Sequence, residues 1–396
     1  MLQGPVGPFF DRLHSSLLKE EHKVTRILFN AGDRLFCRNK SESVNFNGNL
    51  EQWDAWFTDF LKTHAPKSVL LFGSERPIHS IARKICESQG IRILAFEEGY
   101  FRPGFISAEY EGNNSASPLS GQMPPSEYRP ADEAPKTEEV DSFQNNFKNM
   151  CWYGGLYYFW NETFTWGQQR KLCHRQINIF KEVFYWVKNF LLRVFLKNKE
   201  LKLAENLRSF DTYVVALQLD ADMQSRYASN GWKKLDLINE SIASFVQHAP
   251  DNAKLIFKVH PLERGHHNHS WVIRDIADRY GAKERVHIIQ TGGIAQWLRN
   301  ARGLITINSS CGLSAMYHRV PVLALGNALY DSEALVYKLS KASDFDHFWF
   351  AKPKLKPQEY DRYLSWIKEK CCIEGSFYTH SGARTAARSI SLRKFF

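Results

Sequence analysis

The 396 residues contain no CxxC pair, and the seven cysteines, Cys37, Cys86, Cys151, Cys173, Cys311, Cys371 and Cys372, are an odd number. That count and spacing argue against a disulfide framework and against a zinc ribbon, so the thiols read as reduced and the compartment as cytosolic. Neither GxGxxG nor a P-loop appears, so dinucleotide binding has little support from motifs. No run reaches the roughly 18 uninterrupted apolar residues of a spanning helix, so any meeting with a membrane is expected at its surface. The opening Met1-Leu2-Gln3-Gly4-Pro5 lacks the basic region and apolar run of a signal peptide. Leu2–Pro5 reads instead as the end of a strand whose earlier residues are missing or very short. Internal repeats and low-complexity tracts are absent.

What is there suits a large globular protein. The length exceeds one ordinary core and fits two α/β domains. The formal net charge of +10 points to an anionic partner, whether nucleic acid, an anionic membrane surface or an acidic substrate.

Apolar runs alternating with amphipathic stretches predict strands at 24–29, 68–72 and 91–96, with a helix at 78–88 between the last two. Strand, turn, helix, strand is the signature of a parallel sheet. A second series predicts strands at 213–217, 254–259, 286–289, 303–307 and 321–324, and helices at 232–247, 271–280 and 294–300. Residues 113–145 are polar and read as a long surface loop. From about 150 the chain is aromatic (Trp152, Tyr153, Tyr157, Tyr158, Phe159, Trp160, Phe164, Trp166), then mixes apolar residues with Arg and Lys at helical spacing. Such an insertion either packs on its own domain or lies on a membrane, with Trp and Tyr at headgroup depth and cations against anionic lipid. The expected organisation is an N-terminal Rossmann-like lobe at 1–145, a helical aromatic and basic insertion at 146–210, a second Rossmann-like lobe at 211–345, and a tail at 346–396 packing back on the first lobe.

Ligands of open α/β sheets gather at the carboxyl ends of strands, and the chemistry-bearing residues cluster there. Asn308-Ser309-Ser310-Cys311-Gly312 runs from a strand into a helix, where free N–H groups and hydroxyls make either an anion site or a simple cap. In Lys258-Val259-His260-Pro261 the proline ends a strand and period two aims Lys258 and His260 the same way. A cation and an imidazole there suit a phosphate or a sugar carboxylate. His266, His267 and His269 follow no standard metal spacing, and no metal is expected. Two acidic groups follow strands: Glu97-Glu98 with Arg102, and Gln218 with Asp220 and Asp222. Paired carboxylates can serve as nucleophile and acid/base in sugar chemistry, though helix N-terminal charge is the plainer reading. The loop Gln3-Gly4-Pro5-Val6-Gly7-Pro8 is stiffened by its prolines and can line a cleft.

Taken together, LQGPVGPFF at 2–10, FNAGDR at 29–34, FGSERPIH at 72–79, FEEGYFRPGFI at 96–106, LQLDADMQ at 217–224, KVHPLERGH at 258–266, TINSSCGLSA at 306–315 and GNALYD at 326–331 resemble, in order, the bacterial capsule polysaccharide biosynthesis and export family. The resemblance implies a GT-B glycosyltransferase, two Rossmann-like lobes around a cleft. It implies a retaining β-Kdo transferase that takes Kdo, an eight-carbon keto-sugar acid, from CMP-Kdo. The implied acceptor is phosphatidylglycerol or lysophosphatidylglycerol, and the product begins the poly-Kdo linker of a capsule for export. Residue by residue, Asp222 is the implied nucleophile, Glu98 the acid/base and His260 a catalytic partner. Gln218, Lys258, Pro261, Asn308, Ser309, Ser310, Gly312, Asn327 and Arg102 fall to the donor; Gln3, Gly4, Pro5, Asn30, Asp33, Arg34 and Arg76 fall to the acceptor. No cofactor is implied beyond the donor substrate. The expected location is cytoplasmic and peripheral on the inner membrane, beside a second Kdo transferase and the export machinery. A sugar-nucleotide epimerase of the same architecture would need no lipid acceptor, and a catalytically silent export adaptor could lose Glu98 and Asp222 without loss of function. Nucleic acid is left without a recognised binding motif.

Overall fold

In the run Ser68–Phe72 the apolar residues are continuous, yet they serve two faces. Val69 and Leu71 enter one cluster with Trp53, Phe57 and Ile78, while Leu70 and Phe72 enter another with Phe9, Phe10 and Phe96. A strand covered on both sides reads as an unbroken apolar run because period two sends alternate residues to opposite cores. A computed structural model describes residues 1–130, 143–173, 175, 179–219, 228–266, 269–339 and 343–393. It divides into two compact units: Met1–Pro118, Arg129–Ile179 and Ser365–Phe396 form unit 1, and Leu119–Tyr128 with Phe180–Leu364 form unit 2.

Unit 1 opens with α1 (Phe9–Lys19), β1 (Arg26–Leu28), α2 (Ala31–Leu35), β2 (Ser43–Asn45), α3 (Leu50–His64), β3 (Ser68–Phe72), α4 (Pro77–Ser88), β4 (Arg92–Glu98), β5 (Phe105–Tyr110) and α5 (Phe143–Phe164). α3 starts on a capping box, Asn49 with Gln52, and α4 starts on Pro77, whose fixed φ suits a first turn. β1 pairs with β2, and β3 with β4, in parallel. Met1–Gln3 bridges the two pairs: Ile27 N–H donates to Met1, Leu2 N–H to Leu70 and Phe72 N–H to Gln3.

Unit 2 contains α6 (Ile179–Asn206), β6 (Asp211–Ala216), α7 (Lys234–His248), β7 (Ala253–Lys258), α8 (His269–Arg279), β8 (Val286–Ile289), α9 (Ala295–Leu298), β9 (Ala301–Thr306), α10 (Cys311–Tyr317), β10 (Val322–Ala324) and α11 (Ser343–His347). Its five strands run parallel in the order β10-β9-β6-β7-β8. The order reverses at β6, and the point between β6 and β9 is where open α/β sheets leave a crevice for a ligand. Tyr213, Val215, Leu255, Phe257 and Ile305 pack with Ile238, Ile242 and Phe245 of α7 on one face.

The chain then runs through α12 (Pro357–Cys371) to β11 (Cys372–Glu374) and α13 (His380–Leu392). β11 closes the edge of unit 1 in the order β11-β5-β4-β3, and both β5 and β11 pair antiparallel. Ala383, Ala386, Ala387 and Ile390 of α13 enter the cluster of Phe9, Phe10 and Leu13 from α1. The α/β class with parallel sheets holds in both units. Two details differ from the sequence reading. The 113–145 stretch is not all surface loop, since Asn113 and Ser117 are buried on Glu109. The aromatic 146–210 stretch is divided, α5 falling in unit 1 and almost all of α6 in unit 2. Local hydropathy gave no mark of that division, because it is set by what each helix packs against.

Candidate active-site edges of the two units

At the reversal in unit 2, Gln218 follows β6 and Asn308 follows β9. Gln218 Nε2 donates to Asn308 Oδ1 at 2.6 Å, and Asn308 N–H donates back to Gln218 Oε1 at 3.0 Å. Asn308 Nδ2 also reaches the carbonyl of Ala228 at 3.3 Å. Asn308 therefore holds residues on both sides of the segment carrying Asp220 and Asp222, which itself lies outside the described residues. Ser309 Oγ accepts from Cys311 N–H at 3.2 Å, a local turn at the start of α10, while Ser310 makes no side-chain cap bond. A β-carbon on Gly312 would collide with the ring of Tyr330. Glycine is required there so that the buried Tyr330 hydroxyl can donate to the Ser309 carbonyl. Asn327, at the exposed rim, takes a hydrogen bond from Asn230 and donates its N–H to Ala228.

On the next strand Lys258 is buried, and its Nζ lies 3.2 Å from the Val259 carbonyl. Burial, helped by the charge of Arg264, pulls its pKa down to about 8, while Glu200 opposes the fall. His260 is half-buried, and its Nδ1 accepts Leu262 N–H at 3.2 Å, so in the neutral ring the proton resides on Nε2. The Pro261 carbonyl accepts from Asn189 at 2.8 Å, and Arg264 reaches Asn189 Oδ1 at 3.2 Å and the Gln290 carbonyl at 2.8 Å. Glu200 takes the N–H groups of Gln290 and Thr291 at 2.9 and 2.7 Å. Asn189 and Glu200 of α6 thus brace the loops after β7 and β8. Neither was singled out from the sequence. They lie about three turns apart and so share one face of the helix, but α6 carries many other polar residues and nothing in the sequence marks these two. His266 pairs with Glu182, and His269 with Glu263 beside Lys234. Among the described residues no three His, Cys, Asp or Glu side chains gather into a metal-sized group.

In unit 1 most of the residues assigned to the acceptor converge. Gln3, Asn30, Asp33 and Arg76 are buried. Arg76 Nη1 donates to Gln3 Oε1 at 3.1 Å and to the Gly4 carbonyl at 3.2 Å. Gln3 Nε2 reaches Asp33 Oδ2 at 3.3 Å and Tyr157 Oη at 3.1 Å; Tyr157 donates to Asp33 Oδ1 and accepts from Asn30 Nδ2, both at 2.9 Å. Burial raises the Asp33 pKa against these bonds. Tyr157, which completes the network from α5, was read only as part of an aromatic run. Pro5 is buried next to this network along the chain, and Arg34 is half-buried on α2.

Glu98 ends β4 on the face of Phe96, while Glu97 points to the opposite face by period two. Burial, and then the charge of Glu98, raise the pKa of the buried Tyr378 hydroxyl well above the ordinary value. Glu98 Oε1 is buried without a hydrogen-bond partner, and Oε2 lies 3.9 Å from Arg102 Nη1. Arg76 also acts on Tyr378, which places Glu98 and the Gln3 network in one electrostatic neighbourhood. Arg102 Nε is held by the Gly99 carbonyl at 2.9 Å. Gly99 admits no β-carbon, which would fall on the Phe105 carbonyl, so the turn from β4 to β5 keeps Arg102 close to Glu98.

The sequence matches the family described as "Capsule polysaccharide biosynthesis protein" over residues 67–378. It is 30% identical over 381 residues to the capsule polysaccharide export protein KpsS of Escherichia coli, covering 96% of each chain. It is 29% identical over 398 residues to the capsule polysaccharide modification protein LipB of Neisseria meningitidis serogroup B, covering 96% of this chain and 91% of that one. Among solved structures, the Thermosulfurimonas dismutans β-Kdo 2,7 transferase KpsC aligns at 13% identity with a TM-score of 0.41, over 93% of this chain and 97% of that one. A UDP-GlcNAc 2-epimerase from Neisseria meningitidis aligns at 13% identity with a TM-score of 0.33, over 98% of each chain. Matched from the third strand of unit 1 through all of the unit 2 sheet and back to Tyr378, the chain belongs to the capsule polysaccharide biosynthesis family.

Proposed function

We propose that this protein is a GT-B glycosyltransferase, a retaining β-Kdo transferase that moves Kdo from CMP-Kdo to phosphatidylglycerol or its lyso form at the cytoplasmic face of the inner membrane. The observation that carries the reading is the strand reversal of unit 2, where Gln218 and Asn308 meet beside a strand end bearing the buried ammonium of Lys258. Such a crevice suits a nucleotide, and a desolvated cation beside it suits an anionic sugar. Membership in a capsule biosynthesis family narrows the sugar to a capsule precursor.

In this reading the unit 2 edge holds the donor, and the Gln3, Asn30, Asp33 and Arg76 edge of unit 1 holds the acceptor. The donor and product are both β-linked, so two inversions are needed. The Asp222 carboxylate attacks the ketosidic carbon, forming an ester as the bond to phosphate breaks and CMP leaves with the electron pair. Lys258 and His260 offset the charge on the phosphate and the Kdo carboxylate. The acceptor hydroxyl then attacks the same carbon, Glu98 takes its proton, and the ester breaks to return Asp222 as a carboxylate. No metal is required. Incubation with CMP-Kdo and phosphatidylglycerol, followed by mass spectrometry of the lipid, tests the reading. A lipid gaining one Kdo is expected. CMP-Kdo consumed without a lipid adduct, or left intact under every acceptor tried, overturns it.

A further inference from the structure

α6 is built the wrong way round for a helix on a protein surface. Its polar residues Asn189 and Glu200 are buried against the loops after β7 and β8, while three of its phenylalanines face solvent. Phe184, Phe190 and Phe195 are 64%, 63% and 75% exposed, and Val183, Val187, Leu191 and Val194 are exposed beside them. At 3.6 residues per turn these seven positions fall within an arc of about 140°. Lys181, Lys188 and Lys199 border that arc on one side, and Arg193 and Lys197 on the other; all five are exposed. Between Lys181 and Lys202 every exposed charged residue is positive, since Glu200 is buried and Glu182 is partly buried and paired with His266.

We propose that the outer face of α6 docks this protein on the surface of an anionic lipid bilayer. The apolar arc enters the boundary between headgroups and acyl chains, and the flanking lysines and arginine meet lipid phosphates. Lysine stems lie along the apolar layer while the ammonium stays at headgroup level. The exposed charges on both borders of the arc are all positive, which suits a uniformly anionic lipid surface. The helix lies in the plane of the membrane: among the described residues none is long and apolar enough to cross it. The surface goes beyond the transfer reaction and does not depend on it.

Sedimentation of the full chain with vesicles of phosphatidylcholine and phosphatidylserine tests this. Phosphatidylserine supplies negative charge without the glycerol headgroup of the proposed acceptor, so docking and acceptor binding are read separately. The wild type is expected to pellet at low salt and to lose about tenfold or more of its partition at high salt, each cation near the surface adding a screened attraction. Phe184→Ser/Phe190→Ser/Phe195→Ser is expected to lose about tenfold or more at low salt, with its melting temperature and circular dichroism unchanged because those rings touch solvent. Lys188→Gln/Lys197→Gln/Lys199→Gln is expected to remove most of the salt dependence. The proposal is overturned if the wild type stays in the supernatant at low salt, or if the phenylalanine variant pellets like the wild type. It is also overturned if those substitutions abolish a dimer seen by light scattering, which would make the face a contact between two copies.

Discussion

Asn308 N–H and Oδ1 are both satisfied by the side-chain amide of Gln218, while Asn308 Nδ2 holds the Ala228 carbonyl. One asparagine therefore ties β9 to the residues on both sides of the Asp222 segment. Gln218→Ala leaves two buried polar atoms of Asn308 without these partners, a cost of about 1–3 kcal/mol. A lowered unfolding transition by calorimetry is expected, together with weaker CMP binding. An unchanged transition would show that Gln218 is free to turn towards the donor.

The network at Asp33 is closed on its own members. Asp33 Oδ2 accepts from Phe29 N–H at 3.0 Å and from Gln3, and Oδ1 accepts from Tyr157. In Asp33→Asn either orientation of the amide sets an NH2 group against a donor, or leaves the Tyr157 proton without its acceptor. A loss of about 1–3 kcal/mol is expected in denaturant unfolding. Tyr157→Phe, which removes the hydroxyl, should cost a similar amount, and the double variant less than the sum of the two. Strict additivity would mean that the two side chains do not act through each other.

Lys258 is held at about pH 8, below its ordinary 10.5. Folding therefore carries the full desolvation cost of the ammonium below pH 8 and sheds it as pH rises towards 10.5. An anion bound beside Lys258 raises its pKa again, so CMP binding near pH 8.5 should take up protons. Calorimetry in buffers of different ionisation enthalpy reads this directly, and Lys258→Met should abolish the uptake. Identical binding enthalpies in all buffers would remove Lys258 from the donor site.

Glu98 has one buried carboxylate oxygen without a partner and the Tyr378 hydroxyl beside it. As the base for the acceptor hydroxyl it contributes about 10²–10⁴-fold, so Glu98→Gln should slow transfer by that factor while CMP binding persists. A Kdo adduct should then accumulate on the protein. Tyr378→Phe, which leaves the Glu98 carboxylate in place, should have a smaller effect on transfer. Asp222→Asn should abolish transfer and adduct alike. A fully active Asp222→Asn would falsify the nucleophile assignment, and an adduct mapped by mass spectrometry to Asp220 or Glu98 would move it.

Much of the fold is written locally. The strands 68–72 and 286–289 were predicted with the bounds they have, because short, mainly apolar runs ended by glycine or polar turns leave little freedom. Gln218, Lys258, His260 and Asn308 could be placed at strand ends from the sequence because each follows such a run directly. β5 and β11 were not foreseen. Phe105–Tyr110 and Cys372–Glu374 are short, mixed in polarity, and strands only because each found the edge of the other or of β4. The partners of the predicted residues were equally hidden. Tyr157 meets Asp33 across 124 positions, and Glu200 meets Thr291 across 91.

Sequence periodicity determines which residues are apolar, which end a strand and which share a helix face, since those depend on neighbours within a few positions. It could not determine which face of α6 is buried. The apolar face is the larger, and by burial of area alone it should have turned inward. Asn189 and Glu200 turn inward instead, where they pair the backbone N–H groups of Gln290 and Thr291 and the Pro261 carbonyl, which would be costly to leave unpaired out of water. That choice depends on loops far away in the chain, so only the tertiary structure made it, and it left the aromatic face of the helix to solvent.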